Sequence, residues 1–426
     1  MTPKESLARI RRYDARLKAF VRVFDPPLGA PGSEGPSFAV KDLIDVAGAP
    51  TGGGAVTPLD PAPSRHAVVV ERLLAAGWSA VGKTHTVELA FGAWGTNHAL
   101  GAPWNPWDAA IHRAPGGSSS GSAVAVAAGL CDAALGTDTG GSVRIPAAVC
   151  GVVGLKPGRG LVSVTGVHPL SPALDTVGAI ARDVPTAARM LAAMSGPDEA
   201  DADRPGFAAE PALAREVGGL RLAAIPPGRL GLLSPQVERL YLEALGRLAQ
   251  MGVEVRRVPP FRGLEESLSA NGAILAGEGW ACWRERIEAQ REVMDPWIVR
   301  RFESGRDVDK AQLRAALARR RADQEGFEAW MAPYDGLVGP TCPMAAPPMA
   351  LVDEAVSPLS RLTRTANYLD LPAISVPCGL TAEGLPVGLQ IMGRARDEAT
   401  VVALGAAFER VSGWNGRAPD LAGFAA

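Results

Sequence analysis

The residues best suited to chemistry in this sequence are one lysine and two serines. Lys41 ends the apolar run Phe38-Ala-Val, whereas Ser118 and Ser142 lie in glycine-rich segments. A serine hydroxyl is a weak nucleophile until a neighbouring base takes its proton. A lysine can be that base only when neutral, so burial must lower its pKa by several units from about 10.4. A lysine that ends an apolar strand suits this requirement.

Each of these residues also has an ordinary structural explanation. Ser118 precedes a predicted helix and could be its N-cap, which is what most Gly-Ser-Ser helix starts are. Ser142 could be a turn residue, and Lys41 could be an exposed lysine at a strand end. For each residue considered alone, the structural explanation is favoured over the catalytic one. A catalytic assignment therefore needs the surrounding sequence as well.

Two short motifs match known patterns by letter but lack the required context. Gly77–Thr84 fits GxxxxGK[ST], but a P-loop needs a strand before the first glycine and a flexible loop after it. Here a helix precedes Gly77, and the next residues are typical of a strand. Gly117–Gly121 fits GxSxG, but the nucleophile elbow needs an apolar strand before it and a later acid and histidine. We therefore expect neither ATP binding nor an α/β-hydrolase elbow.

The elements that would position these residues alternate between strands and helices. Apolar runs predict strands at 36–41, 78–81, 336–338, 373–376 and 387–392. Periodic stretches predict helices at 68–76, 120–129 and 398–411. Residues 200–335 differ, because Arg- and Glu-rich helices there surround one strand pair, 220–225 and 253–258. The alternation predicts an α/β fold with a sheet buried between helical layers.

A long block at residues 116–157 resembles the amidase signature family. It contains Gly116-Gly-Ser-Ser-Ser-Gly, then Thr139-Gly-Gly-Ser-Val-Arg, and ends at Leu155-Lys-Pro. Other family-like segments lie at 38–48, 105–107, 174–178, 372–379 and 384–391. The resemblance spans residues from about 10 to 411 and is weakest at 200–335.

The resemblance implies a fold and a domain organisation. The fold would be α/β, with a single large mixed β-sheet sandwiched between α-helices. Residues 1–426 would form one domain, with its core at 36–180 and 335–411 and a mostly helical, substrate-side region at about 200–335. The strands predicted near the two ends of the chain, at 36–41 and 387–392, should then share the sheet.

The resemblance also implies a Ser-Ser-Lys triad without histidine. Ser142 would attack an amide carbonyl and form an acyl-enzyme, which water then hydrolyses. Ser118 would carry the proton from Ser142 to Lys41 and later return it to the leaving amine. The peptide bond between Gly117 and Ser118 is expected to be cis.

The turn before Ser142 is expected to stabilise the tetrahedral intermediate. Thr139, Gly140 and Gly141 offer backbone N–H groups on a bend where side chains would obstruct approach, and the resemblance makes this turn the oxyanion hole. We expect Ala90 and Trp94 to contact the substrate, although core packing explains the tryptophan equally well.

Several other residues have more than one explanation. Arg144 could hold a substrate carboxylate, but we favour a structural ion pair. Trp104 and Trp107 could line the acyl pocket or pack in the core. Four histidines lack metal-ligand spacing and are given no role: His85, His98, His112 and His168.

Composition restricts the partners. The net charge of −2 offers no electrostatic reason to bind nucleic acid or an anionic membrane. Five cysteines without a CxxC pair argue against a disulfide framework and structural zinc and for a reducing compartment. No run reaches the ~18 apolar residues of a membrane span. We expect a cytoplasmic enzyme without metal or cofactor, and we leave homodimer formation open.

Three functions fit these expectations. The leading hypothesis is a stand-alone hydrolase of a small-molecule amide, carbamate or urea. The alternative is the glutaminase-type amidase subunit of an amidotransferase complex, in which ammonia passes to a second protein. A rather short chain and a compact 200–335 region count against this alternative. The third is a non-catalytic binding protein that has kept the fold, which the intact triad opposes.

Overall fold

The computed structural model describes residues 1–30, 32, 34–197, 205–261, 264–414 and 416–425. Its strands are β1 (Phe20–Leu28), β2 (Ser37–Lys41), β3 (Ser79–Thr84), β4 (Ala133–Asp138), β5 (Val153–Lys156), β6 (Thr176–Ala181), β7 (Arg221–Ala224), β8 (Glu254–Arg257), β9 (Gly336–Pro340), β10 (Ala373–Leu380) and β11 (Pro386–Gly393). Its helices are α1 (Pro3–Leu17), α2 (Val68–Ala75), α3 (Ser120–Ala127), α4 (Arg144–Cys150), α5 (Val184–Met194), α6 (Ala209–Ala214), α7 (Pro235–Gln250), α8 (Leu264–Gln290), α9 (Pro296–Glu303), α10 (Lys310–Met331), α11 (Arg364–Tyr368) and α12 (Glu398–Ser412).

These strands form one mixed sheet with the order β1-β3-β2-β4-β6-β5-β10-β11-β9-β7-β8. β2 is parallel to both β3 and β4, and β7 is parallel to both β8 and β9, whereas the other neighbours are antiparallel. The prediction that residues 36–41 and 387–392 share a sheet is confirmed by β2 and β11. The strand pair predicted at 220–225 and 253–258 is confirmed as β7 and β8, which extend one edge of this same sheet.

Helices cover both faces of the sheet, as predicted. Side chains alternate along a strand, so Phe38 and Val40 of β2 pack in one core and Ala39 packs in another on the opposite face. The first core includes residues of α2, α5, α7 and α12, and the second includes residues of α1, α3 and α4. A third core joins α8, α9 and α10 to β9 and β11. No helix in the described part of the chain is long and apolar enough to cross a membrane.

The parallel strands β2 and β4 bring candidate residues together at the edge of the sheet that is formed by their carboxyl ends. Because β2 and β4 are parallel, their last residues, Lys41 and Asp138, lie at the same edge. β6 is antiparallel to β4 with Thr176 opposite Asp138, so the preceding residue, Asp175, reaches that edge too. The carboxyl ends of strands are the usual ligand-binding edge of an open α/β sheet.

The helix predicted at 120–129 is confirmed as α3, which is buried over its whole length. Gly129 follows it with a φ of +63°, the left-handed conformation that commonly ends a helix. The segment that resembles a P-loop has a different structure. Gly82 and Lys83 lie inside strand β3, so no phosphate-binding loop separates Gly77 from Gly82.

Candidate active site

Lys41 and Ser118 contact each other in the protein interior, as the sequence predicts. Lys41 Nζ lies 2.7 Å from Ser118 Oγ and 2.7 Å from the hydroxyl of Thr137, on β4. The peptide bond between Gly117 and Ser118 is cis, which confirms that prediction. The N-cap of α3 is Ser119, and no side chain donates or accepts a capping hydrogen bond there. Ser118 therefore faces the lysine instead of capping the helix.

The surroundings of Lys41 favour its neutral form. Its side chain is fully buried, and burial lowers the pKa of the amine to about 7, although the charges of Asp138 and Asp175 act in the opposite direction. Within the described ranges, both hydrogen-bond partners of its amine are hydroxyl groups, and no carboxylate forms an ion pair with it. An amine with this pKa is partly neutral near pH 7 and can accept a proton.

Ser142 is the accessible member of the three residues. It is 8% exposed, whereas Lys41 and Ser118 are 0% exposed. The backbone carbonyl of Ser142 accepts a hydrogen bond from the N–H of Ser119 at 3.2 Å, which ties the two serine segments together. No hydrogen bond in the described structure joins the hydroxyls of Ser118 and Ser142. Such catalytic contacts are often long without substrate and shorten in the substrate complex.

The turn before Ser142 differs in one respect from the predicted oxyanion hole. Gly141 donates its N–H to the carboxylate of Asp138 at 2.7 Å, so this group already has a partner. A Cβ atom on Gly141 would collide with the hydroxyl of Thr363, and its φ is +125°, so glycine is required for close packing. Among the described residues, no hydrogen bond uses the N–H of Thr139, Gly140 or Ser142. These three N–H groups therefore have no partner in the described part of the chain, whereas that of Gly141 has one.

Arg144 forms the structural ion pair that we favoured. Its guanidinium is fully buried and lies 2.9 Å from Asp138, and its other N–H groups bond to Thr363, Gln390 and Asn367. Burial acts to raise the pKa of Asp138, but the Arg144 guanidinium outweighs burial and holds that pKa well below its usual range. The pair fixes the turn before Ser142, because Asp138 also accepts the N–H of Gly141.

Asp175 is a second carboxylate that the sequence analysis did not assign to the site. It accepts a hydrogen bond from the hydroxyl of Thr139 at 2.5 Å and from the N–H groups of Leu170 and Ser171 at 2.8 and 3.0 Å. Burial raises the pKa of Asp175 to about 6. The only sequence signal for this residue was its place in the family-like segment 174–178.

A cavity of about 270 Å³ opens onto Ser142, Thr139 and Gly140. The predicted substrate contact Ala90 lines this cavity, whereas Trp94 does not. The Trp94 indole is buried, and its N–H donates to the backbone carbonyls of Asp353 and Val356. Trp94 thus supports the wall of the cavity from behind.

Trp104, Trp107 and His85 do not line this cavity. Trp104 stacks on His112, and the indole of Trp107 donates to the carbonyl of Cys150. His85 is buried, and burial lowers its pKa to about 4. In the ranges that the structure covers, no cluster of His, Cys, Asp or Glu could hold a metal ion.

Comparisons with known proteins show the family and the fold of this chain. The sequence model of the family described as Amidase matches residues 4–402. The chain is 35% identical to the A subunit of glutamyl-tRNA(Gln) amidotransferase from Chloroflexus aggregans, over 99% of this chain and 90% of that protein. Its structure matches that of the corresponding protein from Thermotoga maritima with a TM-score of 0.87 and 32% identity, covering 99% and 94% of the two chains. It also matches the peptide amidase of Stenotrophomonas maltophilia with a TM-score of 0.83 and 29% identity, covering 99% and 94%.

Proposed function

The chain belongs to the amidase family of amide-hydrolysing enzymes, and on that premise we propose that it cleaves a C–N bond through an acyl-enzyme on Ser142. The observation that carries this proposal is the buried contact between Lys41 and Ser118, in which the lysine has hydroxyl partners only. That environment supplies a neutral amine, which is the base that a serine nucleophile needs.

Acylation begins with two proton transfers. Neutral Lys41 takes the proton of Ser118, and Ser118 takes the proton of Ser142 as the Ser142 oxygen attacks the carbonyl carbon. The oxyanion that forms receives hydrogen bonds from the free N–H groups of Thr139, Gly140 and Ser142. Donors fixed in advance by the Asp138–Arg144 pair need no rearrangement as the charge develops.

Release of the amine and hydrolysis of the acyl-enzyme use the same residues. The proton held by Lys41 returns through Ser118 to the leaving nitrogen, and the C–N bond breaks. Water then attacks the ester on Ser142 and transfers a proton along the same route. For an amide, the net reaction consumes one water and yields a carboxylic acid and an amine or ammonia, which exchange a proton in solution to give a carboxylate and an ammonium ion.

The physiological substrate is either a small free amide, carbamate or urea, or glutamine in an amidotransferase complex. The 35% identity to a protein of a glutamyl-tRNA(Gln) amidotransferase favours the second candidate. The lining of the 270 Å³ cavity favours the first, because its described residues include no acidic side chain to pair with the ammonium group of glutamine. All five cysteines are free thiols, in keeping with a reducing, cytoplasmic setting as part of this proposal.

Covalent labelling tests the catalytic part of the proposal. A fluorophosphonate probe should label the purified wild-type chain, should not label Ser142→Ala, and should label Ser118→Ala only weakly. Ser357→Ala is the matched control, because Ser357 lines the same cavity, and it should be labelled normally. Full labelling of Ser142→Ala would exclude Ser142 as the nucleophile.

Two assays on the purified chain separate the candidate functions. A stand-alone hydrolase should turn over a member of a panel of amides, carbamates and ureas without any other protein. A component of an amidotransferase should release ammonia from glutamine and should co-purify with a partner protein from its native cells.

A further inference from the structure

Two arginines line the cavity that opens onto Ser142. Arg301 and Arg364 reach it from separate helices, α9 and α11, and the rest of the described lining is apolar or hydroxylic. No acidic side chain belongs to that lining. The two guanidinium groups are therefore the charged side chains in the described lining of this cavity.

Arg301 already has a carboxylate and two backbone carbonyls as partners. Its guanidinium lies 2.6 Å from the carboxylate of Glu354 and also donates to the backbone carbonyls of Glu354 and Phe91. Its charge is neutralised by that carboxylate, and its hydrogen bonds join two segments of the cavity wall. Arg301 therefore stabilises the cavity wall, and its charge is already paired.

Arg364 lacks such partners. Its Nε donates to the hydroxyl of Ser360 at 3.1 Å, and within the described residues its two terminal nitrogens form no hydrogen bond and no ion pair. Burial, and then the like charge of Arg301, lower its pKa, yet a guanidinium stays charged at any physiological pH. Arg364 is thus a partly buried cation that a carboxylate of a ligand could neutralise.

Arg364 lies close to the turn that precedes Ser142. Its Cγ lies 3.6 Å from the point that a Cβ on Gly140 would occupy, so its stem packs against the oxyanion turn. It also lines an adjoining, more open cavity of about 710 Å³, which shares Ser357 and Ser360 with the cavity at Ser142. An anion could therefore approach Arg364 from the adjoining cavity and stay close to the scissile carbonyl.

We propose that Arg364 binds a carboxylate on the acyl part of the substrate, and that the substrate is the monoamide of a short dicarboxylic acid. This inference rests on the proposed function. A guanidinium binds a carboxylate through two parallel hydrogen bonds, which its free terminal nitrogens can donate. Because the stem of Arg364 packs against Gly140, two residues before the nucleophile, a carboxylate bound by Arg364 would lie only a few carbons from the amide carbonyl.

The reaction of such a substrate balances with water alone. The Ser142 oxygen forms an ester with the amide carbon, ammonia leaves with the proton returned through Ser118, and water splits the ester. The product is a dicarboxylate whose new negative charge lies near the catalytic serines. Glutamine fits less well, because its ammonium group would lie close to Arg364, whose charge no carboxylate neutralises in the described structure.

Three amides of equal chain length test the proposal: glutaramate, uncharged pentanamide and glutamine. The wild-type chain should have the highest kcat/KM on glutaramate. In Arg364→Met the ratio of kcat/KM between glutaramate and pentanamide should fall about 30-fold or more, the scale on which charged hydrogen bonds are lost. Arg364→Lys should retain part of the ratio. Arg300→Met, an exposed arginine outside the lining, should keep all of it.

A labelling readout keeps this test separate from that of the proposed function. Glutarate should protect Ser142 from the fluorophosphonate probe in the wild type and not in Arg364→Met, which must itself still be labelled to show that it is folded. No labelling of the wild type would mean that the proposed function fails. Normal labelling with an unchanged substrate ratio in both Arg364→Met and Arg364→Lys, or a preference for glutamine over glutaramate, would overturn the carboxylate proposal alone.

Discussion

Two buried lysines on neighbouring strands have opposite environments. Lys41 on β2 and Lys83 on β3 lie one register position apart, since Val40 is opposite Lys83 and Lys41 is opposite Thr84. Both side chains are fully buried. The amine of Lys83 lies 2.9 Å from the carboxylate of Asp42, whereas that of Lys41 contacts two hydroxyls.

The difference shows that burial alone does not make a lysine a base. Burial lowers the pKa of Lys83 too, but Asp42 acts to raise it again and stabilises the ammonium form. Lys41 has no such partner within the described ranges, and the carboxylates that raise its pKa, Asp138 and Asp175, are engaged elsewhere. Under the proposed function, Lys83 keeps its proton and Lys41 exchanges its proton with Ser118.

Removing each amine should therefore have a different consequence. Lys41→Met should lower kcat/KM by about 10²–10⁴-fold, because it removes the general base and leaves two hydroxyls that can bond to water. Its free energy of unfolding should change little by comparison. The measurement is steady-state hydrolysis of the best amide beside denaturant unfolding. Near-normal turnover at neutral pH would disprove a lysine base.

The same substitution at Lys83 should lower the free energy of unfolding. Lys83→Met leaves the buried Asp42 carboxylate without its cation, and breaking a buried pair in this way typically removes about 3–5 kcal/mol of unfolding free energy. The molecules that remain folded should still be labelled at Ser142. The double variant Lys83→Met with Asp42→Leu should recover part of the loss. A stable but inactive Lys83→Met would contradict this assignment and would give Lys83 a catalytic role.

The residues around Lys41 show which parts of the site the sequence could predict. Lys41, Ser118 and Ser142 were predicted because local segments carry their signal: a strand that ends in lysine and two glycine-rich turns. Thr137 and Asp175 were missed because they reach the site through strand pairing. β4 and β6 are about forty residues apart along the chain, and their register exists only in the folded sheet.

Contacts between distant helices were the hardest to predict. Nothing in the helical patterns of α9 and α11 showed that Arg301 and Arg364 would meet at one cavity, since helix periodicity does not identify a distant partner. Trp94 illustrates the opposite error. A tryptophan beside a glycine-rich segment suggests a pocket, but only the structure shows that its indole packs behind the wall.

A carboxylate introduced beside the amine of Lys41 should make its environment resemble that of Lys83. Thr137→Asp places an acid where the Thr137 hydroxyl now lies 2.7 Å from the amine. An opposite charge at this distance shifts a pKa by about 1–3 units, so the pKa of Lys41 should rise from about 7. Activity should then develop at correspondingly higher pH, because more of the amine stays protonated at neutral pH.

The control for this experiment is Thr137→Asn, which has nearly the same shape as Asp and no charge. Its pH profile should keep its midpoint near that of the wild type, even if its maximal rate is lower. An equal alkaline shift in both variants would show that shape, and not charge, controls the lysine.

The smallest expected effect concerns the more distant carboxylate. The charge of Asp175 raises the pKa of Lys41, so Asp175→Asn should lower that pKa and move the rising limb of kcat/KM against pH toward acid by less than one unit. The pKa of Asp175 itself is raised to about 6, so its charge is lost below that pH and the two profiles should converge there. Glu278→Gln is the matched control, because Glu278 joins the same network through Ser171 but does not act on Lys41. It should shift the midpoint less than Asp175→Asn does. An unchanged midpoint in Asp175→Asn, with only the maximal rate reduced, would mean that Asp175 acts by holding Thr139 and not through its charge.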